Sequence, residues 1–166
     1  MKRFTTKRLV ICSILIAIAL TIFILEAQIP LPIAIPGLKL GLSNIVTLFA
    51  LVYLSPKEAF LILVSRILLG SFFGGSPASL IYSLSGGIIC LLTETLIFKH
   101  IGKKFIIEIS IIGAMVHTTT QILCAIIITR TTAIFYYLPI LLVASMITGA
   151  FCGICAKLMD KNLKNR

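Results

Sequence analysis

Apolar residues fill six long runs of the chain, and short segments rich in proline, glycine or charged residues separate these runs. Most runs approach the ~20 residues that a helix needs to cross a bilayer. The second run is the shortest and follows the segment IPLPIAIPGLK, in which three prolines prevent a regular helix. The pattern predicts an all-α membrane protein, a six-transmembrane-helix bundle that forms one integral membrane domain over residues 1–166. The predicted spans are about 9–26, 38–54, 58–73, 78–98, 105–128 and 133–157.

Composition agrees with a membrane location. Hydrophobic residues make up 59% of the chain, charged residues make up 12%, and the mean hydropathy is +1.15, far above what a soluble domain needs. The first run continues to Leu25 without a small-residue cleavage site, so we expect an uncleaved first span and not a signal peptide. All five cysteines lie in apolar runs, which gives a disulfide framework no support. We expect Cys152 and Cys155 to serve helix packing and not metal binding.

The distribution of charge predicts the topology. The net charge is +10, and twelve of the fifteen Lys and Arg residues lie at the N-terminus, in the 55–58 turn, in the 99–104 loop and in the tail. Lys39 and Arg130 lie on the opposite face, and Arg66 lies within a span. By the positive-inside rule both termini are cytoplasmic, in a multi-pass protein of the plasma membrane. The basic segments are expected to meet anionic lipid and not nucleic acid.

Strongly polar side chains within the predicted spans are the candidate functional residues. Each costs ~2.5–3.5 kcal/mol to insert, so each requires a partner or a function. Depth in the predicted spans places four of them so that they converge on one outward-facing cavity, whereas Glu94 lies nearer the cytoplasm. These four residues are Asn44, Arg66, His117 and Gln121.

Two interpretations of these polar residues remain open. His117 and Gln121 are four residues apart and share a helix face, and three neighbouring threonines extend its polar surface. His117 and Gln121 either bind a ligand or form hydrogen bonds between helices. The guanidinium of Arg66 requires an anion, which is either an internal carboxylate, from Glu94 or Glu26, or the carboxylate or phosphate of a ligand. An unperturbed histidine titrates near neutrality, so coupling of transport to protons through His117 is a further alternative.

Small residues and one glycine-rich segment add further candidates. Ser13 and Ala17 are four residues apart in the first run, as are Gly149 and Gly153 in the last, and such pairs let helices approach closely. We expect the glycine pair to pack within the bundle, whereas the first pair serves either packing or an external partner. The segment GSFFGGSPAS, 70–79, is predicted as a loop that either turns the chain or offers free backbone N–H groups to an anion.

Catalytic signatures are missing from the sequence. It contains no phosphate-binding loop, and its only aspartate is Asp160, so there is no aspartate-rich site to hold a diphosphate. No serine or cysteine lies in a nucleophile motif. We therefore expect a protein that is not an enzyme and that binds neither a metal nor another cofactor. An ATP-driven role would require partner subunits.

Five segments resemble the Gx transporter family, which is often labelled heptaprenyl diphosphate synthase component I, and they cover nearly the whole chain. The most specific is the string Pro-Gly-x-Lys-x-Gly-Leu-x-Asn, which ends at Asn44. One departure is Thr118, where members of the family have Asn after the histidine. The five segments are AIPGLKLGLSNIVTLFAL (34–51), SRILLGSFFGG (65–75), YSLSGG (82–87), GAMVHTTTQ (113–121) and YLPILLVASMITGAFCG (137–153).

The family is similar in size and span number to the S components of energy-coupling factor (ECF) transporters. This likeness implies an ECF S-component-like bundle in which the loop after the first span, at 30–40, covers a substrate that the last three spans grip. It also implies that Ser13 and Ala17 contact a transmembrane coupling subunit, which works with ATPases.

Two functions follow as hypotheses. The first is a substrate-binding membrane subunit of a transporter for a small anionic or amphipathic molecule, related to an isoprenoid, a quinone or a flavin. Its binding residues would be Asn44, Arg66, His117, Gln121 and Lys39. The second is a non-catalytic membrane accessory, a component I, of heptaprenyl diphosphate or menaquinone synthesis or of an electron-transfer complex. In that case the polar residues join helices.

Overall fold

The structure is a computed structural model that describes residues 6–26, 28, 39, 41–74 and 77–164. The described part of the chain is all-helical, as predicted, and each of the six apolar runs contains one α-helix. Two short 3-10 helices, Lys103–Phe105 and Thr132–Tyr137, lead into the last two α-helices. The α-helices are α1 (Thr6–Glu26), α2 (Asn44–Tyr53), α3 (Pro56–Gly74), α4 (Pro77–Ile101), α5 (Ile106–Thr129) and α6 (Leu138–Lys164).

Four helices are long and apolar enough to cross a membrane. They are α1, most of α4, and α5 and α6 together with their 3-10 turns. With 19 residues, α3 is long enough, but it carries Lys57, Glu58 and Arg66. With ten residues α2 extends only about 15 Å, half the hydrocarbon thickness. The chain is therefore a membrane protein, whereas the number of six spans and the cytoplasmic termini stay predictions.

The helix of the second apolar run begins later than the sequence indicates. Residues 39 and 41–43 are not helical, because Gly41 has a φ of +84° and a turn follows it. The amide of Asn44 then donates to the carbonyl of Gly41 at 2.9 Å, at the start of α2. Apart from Lys39, the predicted cover at 30–40 lies outside the described residues.

The segment predicted as a loop at 70–79 is mostly helical. Phe72 and Phe73 belong to α3, which continues to Gly74, and α4 begins at Pro77, as its proline suggested. The loop prediction was wrong for 70–74 because glycine and serine are tolerated within a helix that neighbouring helices support. The backbone N–H groups of 70–74 belong to α3, so they do not form the anion site considered for this segment, and residues 75 and 76 lie outside the described residues.

Two contacts fix the register of α1 against α3. At one end Arg8 forms an ion pair with Glu58 at 2.9 Å, and Glu58 also accepts a hydrogen bond from Ser55, the residue before α3. At the other end the ring of Phe23 packs on Gly70, where a Cβ would lie 2.3 Å from the ring. Between these contacts α1 buries a stripe of residues spaced three or four apart, which packs on α3. This register brings the end of α1 beside the middle of α3.

The packing of α5 against α6 depends on glycine. A Cβ on Gly149 would lie 2.9 Å from the Cα of Ile111, and one on Gly153 would lie 2.7 Å from the Cα of Ile107. Both helices therefore approach through backbone, which confirms the prediction that this pair packs within the bundle. The close approach also positions the polar face of α5 toward α2 and α4.

Replacing Gly153 with leucine should lower the thermal midpoint of the purified protein, at a cost of about 1–3 kcal/mol, because the new side chain would overlap the backbone of α5. The control is Ile154→Leu, one residue further along, where the side chain is exposed. Differential scanning fluorimetry in one detergent compares the variants, and equal midpoints would contradict the packing.

Candidate functional site

A small polar cavity lies where the end of α1, the segment before α2, and the middles of α3, α4 and α5 meet. Its volume is about 10 Å³, which is room for one water molecule. The structure brings all five candidate binding residues to this cavity, which we call the Arg66 pocket. Its lining residues are Phe23, Glu26, Lys39, Gly41, Ser43, Asn44, Arg66, Ser83, His117 and Gln121.

Arg66 occupies the centre of this pocket and is 2% exposed. Its Nη1 donates to the hydroxyl of Ser43, and its Nη2 donates to Oδ1 of Asn44 at 2.5 Å. Its Nε has no hydrogen-bond partner among the described residues. Within the described residues it forms no ion pair, so neither Glu26 nor Glu94 is its direct partner. The guanidinium is thus held by neutral oxygens alone.

Glu26, the last residue of α1, binds the chain just before α2. Its Oε1 accepts a hydrogen bond from the amide of Gly41, and its Oε2 accepts one from the amide of Ser43 at 3.4 Å. The carboxylate therefore lies at the N-terminus of α2, where free amides and the helix dipole favour negative charge. This contact holds Ser43 and Asn44 in place for Arg66.

Lys39 and Phe23 form the side of the pocket next to α1. The ammonium nitrogen of Lys39 lies 3.1 Å from the centroid of the Phe23 ring, and Cζ of Arg66 lies 5.9 Å from it. The amide of Lys39 donates to Oε1 of Gln121 at 3.5 Å. One aromatic ring thus contacts two cations through its face, an arrangement that stabilises desolvated positive charge.

His117 and Gln121 project into the pocket from α5, and both are buried. A Cβ on Gly86 of α4 would lie 2.9 Å from Cγ of Gln121 and 3.0 Å from Nδ1 of His117, so this glycine makes room for both side chains. Within the described part of the chain, Nδ1 of His117 and Nε2 of Gln121 have no hydrogen-bond partner. With Nε of Arg66 and the hydroxyl of Ser83, four polar atoms of the lining residues remain unpaired.

The threonines beside His117 do not extend this polar surface. Thr119 donates to the carbonyl of Met115 and Thr120 to that of Val116, each at 2.8 Å within α5. Thr118 is buried, but it does not line the Arg66 pocket. The expectation of a widened polar face therefore fails for Thr119 and Thr120, because their hydroxyls bond to their own helix. The buried hydroxyl of Thr118 has no hydrogen-bond partner among the described residues.

Glu94 lines a neighbouring cavity of about 10 Å³, which shares Gly41 and Asn44 with the Arg66 pocket. On the outer surface of α1, Ser13 and Ala17 are exposed, and Ser13 bonds only to the carbonyl of Leu9. In the described ranges the five cysteines are free, and no group of three or more metal-ligating side chains comes together.

Sequence reasoning did not select as binding residues five of the ten that line the Arg66 pocket, which are Phe23, Glu26, Gly41, Ser43 and Ser83. Glu26 was noted only as a possible partner of Arg66, although a carboxylate at the end of an apolar run was a usable signal. Ser43 precedes Asn44 in the most specific motif. Phe23 and Ser83 carry no signal beyond their helix positions, because their roles depend on contacts between distant parts of the chain.

Comparison with known proteins gives one match. The family model described as heptaprenyl diphosphate synthase component I matches residues 15–159, which is most of the chain. No curated protein and no solved structure matches it. With its helical membrane architecture and its buried polar pocket, the chain belongs to the heptaprenyl diphosphate synthase component I family.

Proposed function

We propose that this protein is a substrate-binding membrane subunit of a transporter and that the Arg66 pocket binds a small anionic molecule. The observation that carries the proposal is the guanidinium of Arg66, which is buried, permanently charged and bonded only to neutral oxygens. Removing a charge from water costs several kcal/mol, and this cost is offset only by a well-placed counter-charge. Glu26 lines the same pocket but bonds to the amides of Gly41 and Ser43, so it balances the guanidinium only at a distance. A ligand carboxylate or phosphate would supply a direct counter-charge, and the fork of the guanidinium matches both groups.

The rest of the pocket supports an anion with an apolar or aromatic body. Lys39 adds a second cation, and Nε2 of Gln121 adds an unpaired donor. Phe23 offers the face of a ring next to both cations. A carboxylated or phosphorylated compound related to an isoprenoid, a quinone or a flavin combines these features. The family description, which names a diphosphate product, favours the same chemistry.

Binding requires the pocket to open, because its present volume admits only one water. An anion that approached Arg66 would replace Ser43 and Asn44 as acceptors and release the start of α2. Since Glu26 anchors the same stretch of backbone, binding and movement at this end of α2 are coupled. Energy for transport would come from partner subunits. The exposed pair Ser13 and Ala17 on α1 is the proposed contact for a transmembrane coupling subunit that works with ATPases.

A second candidate function is a non-catalytic membrane accessory of heptaprenyl diphosphate or menaquinone synthesis or of an electron-transfer complex. The closed pocket favours it, because Arg66, Ser43, Asn44, Lys39 and Gln121 already bond to one another and would join helices without a ligand. The family description also favours it. Under either candidate we propose that this chain is not the catalyst, since its only aspartate, Asp160, lies near the end of α6 and outside the pocket.

Removing the guanidinium should abolish ligand retention. Native mass spectrometry of protein gently extracted from its own membrane should show a stoichiometric small molecule in the wild type. Arg66→Gln should weaken binding of that molecule about 10- to 100-fold, because charge-assisted hydrogen bonds are each worth roughly 1.5–3 kcal/mol. Arg130→Gln is the matched control, since it removes an exposed arginine outside the pocket. Equal occupancy in both variants would contradict the site, and a stable partner without any ligand would favour the accessory function.

Replacing the small residues of α1 with larger ones should abolish binding of the partner without affecting binding of the small molecule. In the double variant Ser13→Leu, Ala17→Leu a co-purifying membrane partner should be lost while the small molecule is kept, because both positions are exposed and outside the Arg66 pocket. Ala133→Leu, at an exposed position away from α1, should keep both. Retention of the partner by the double variant would exclude this face as the contact.

A further inference from the structure

Glu94 is a buried carboxyl group that the proposed binding site does not use. It is 2% exposed in the second half of α4, and its Oε2 has no hydrogen-bond partner among the residues that the structure describes. Its side chain lies against Gly113 of α5, where a Cβ would be 2.5 Å from Oε1. A carboxyl group whose side chain bonds only to the thiol of Cys90 among the described residues is costly at such a position in a membrane protein, which makes a function the default expectation.

The surroundings of Glu94 stabilise a negative charge only weakly, because its side-chain hydrogen bond is with Cys90, and a thiol is a weak donor. Its cavity is lined by Ser110 of α5 and by Thr148 and Cys152 of α6, together with Asn44 and Gly41. The hydroxyl of Thr148 donates to its own helix, to the carbonyl of Ser145. The charged or titratable groups nearest to Glu94 are Cys90 on α4, Cys152 on α6 and Arg66 on α3. Of these, only Arg66 is a cation.

The cavity of Glu94 and the Arg66 pocket are adjacent. They share Gly41 and Asn44, and Asn44 accepts the hydrogen bond from Nη2 of Arg66. Arg66 and Glu94 thus lie on two sides of one asparagine without forming an ion pair. The charge of one of these residues changes the electrostatic potential at the other, because the protein interior screens charge poorly.

Charge balance links the two cavities. Four charged side chains are buried around them, two cations and two carboxylates, and with all four ionised the charges sum to zero. A bound monoanion leaves an excess of one negative charge in the interior of a membrane protein. One proton restores the balance. The four residues are Glu26, Lys39, Arg66 and Glu94.

We propose that Glu94 is a proton-binding site and that it takes up a proton when an anion occupies the Arg66 pocket. The proposal rests on the proposed function, because the anion is the proposed ligand. The proton comes from water, and no covalent bond of the ligand changes. The anion and the proton together add no net charge to the site. Such a pair moves across a membrane without opposition from the membrane potential, which acts on net charge.

Glu94 suits this role better than the other titratable groups of the site. Both oxygens of Glu26 accept backbone hydrogen bonds, from Gly41 and Ser43, and a proton there would displace a donor. His117 lines the same pocket as Arg66, so a proton on its ring would add positive charge beside a guanidinium. Oε2 of Glu94 has no donor to displace.

The test uses infrared spectroscopy of the protein in lipid nanodiscs, titrated with pH. The carbonyl band of a protonated carboxylic acid is assigned to Glu94 by its loss in Glu94→Gln. Removing the positive charge in Arg66→Gln imitates the electrostatic effect of a bound anion. The Glu94 band should therefore persist to a pH about one unit or more higher than in the wild type, since a cation that favoured the ionised form is gone. Arg66→Lys, which keeps the charge, should titrate like the wild type.

Each outcome supports or overturns the proposal. If Arg66→Gln does not fold, Lys39→Gln removes a charge from the same pocket and should shift the band in the same direction. An unchanged titration in these variants, or a band that survives in Glu94→Gln, would overturn the assignment. Formate, a monoanion, is the probe anion for the wild type: failure to bind it would count against the carboxylate form of the proposed function, while the arginine variants still test Glu94.

Discussion

The burial of one guanidinium sets the arrangement of the interior. Arg66 lies in the middle of α3, where it is inaccessible to water and to lipid head groups, so its donors must be satisfied inside the protein. Ser43, just before α2, and Asn44, its first residue, accept hydrogen bonds from Nη1 and Nη2. This requirement explains why α2 is short and why the chain before it turns inward at Gly41, whose φ of +84° suits glycine. The polar face of α5 then closes the pocket.

The α1–α3 contact makes this arrangement reproducible. The ion pair between Arg8 and Glu58 and the packing of Phe23 on Gly70 fix the two helices in register, and Glu26 then reaches the amides before α2. The helices α1, α2 and α3 therefore meet at Arg66, so movement of one of them displaces the others. A site built in this way suits a protein that must recognise an anion and respond to it, since the acceptors that hold the guanidinium are also the start of a helix.

Sequence patterns predicted the helical class and the polar residues of the pocket for a simple reason. Apolar runs of bilayer length and polar residues within them carry large free energies, so Arg66, His117 and Gln121 stand out without any knowledge of contacts. The features that the sequence did not predict depend on the local backbone conformation or on contacts between distant parts of the chain. Hydrophobicity does not distinguish a helix from an apolar turn, so the start of α2 at Asn44 and the helical course of 70–74 were missed. Glu26 and Phe23 acquire their roles only because the end of α1 contacts the chain before α2. The amino-acid composition of these two segments does not predict that contact.

The most direct test of the central claim is a structure of the protein purified gently from its own membrane with its small molecules retained. The account predicts density for an anionic group within hydrogen-bond distance of the Arg66 guanidinium, with Ser43 and Asn44 displaced from it. A closed pocket that holds one water, with Arg66 still bonded to Ser43 and Asn44, would contradict the claim and leave the guanidinium as a joint between helices.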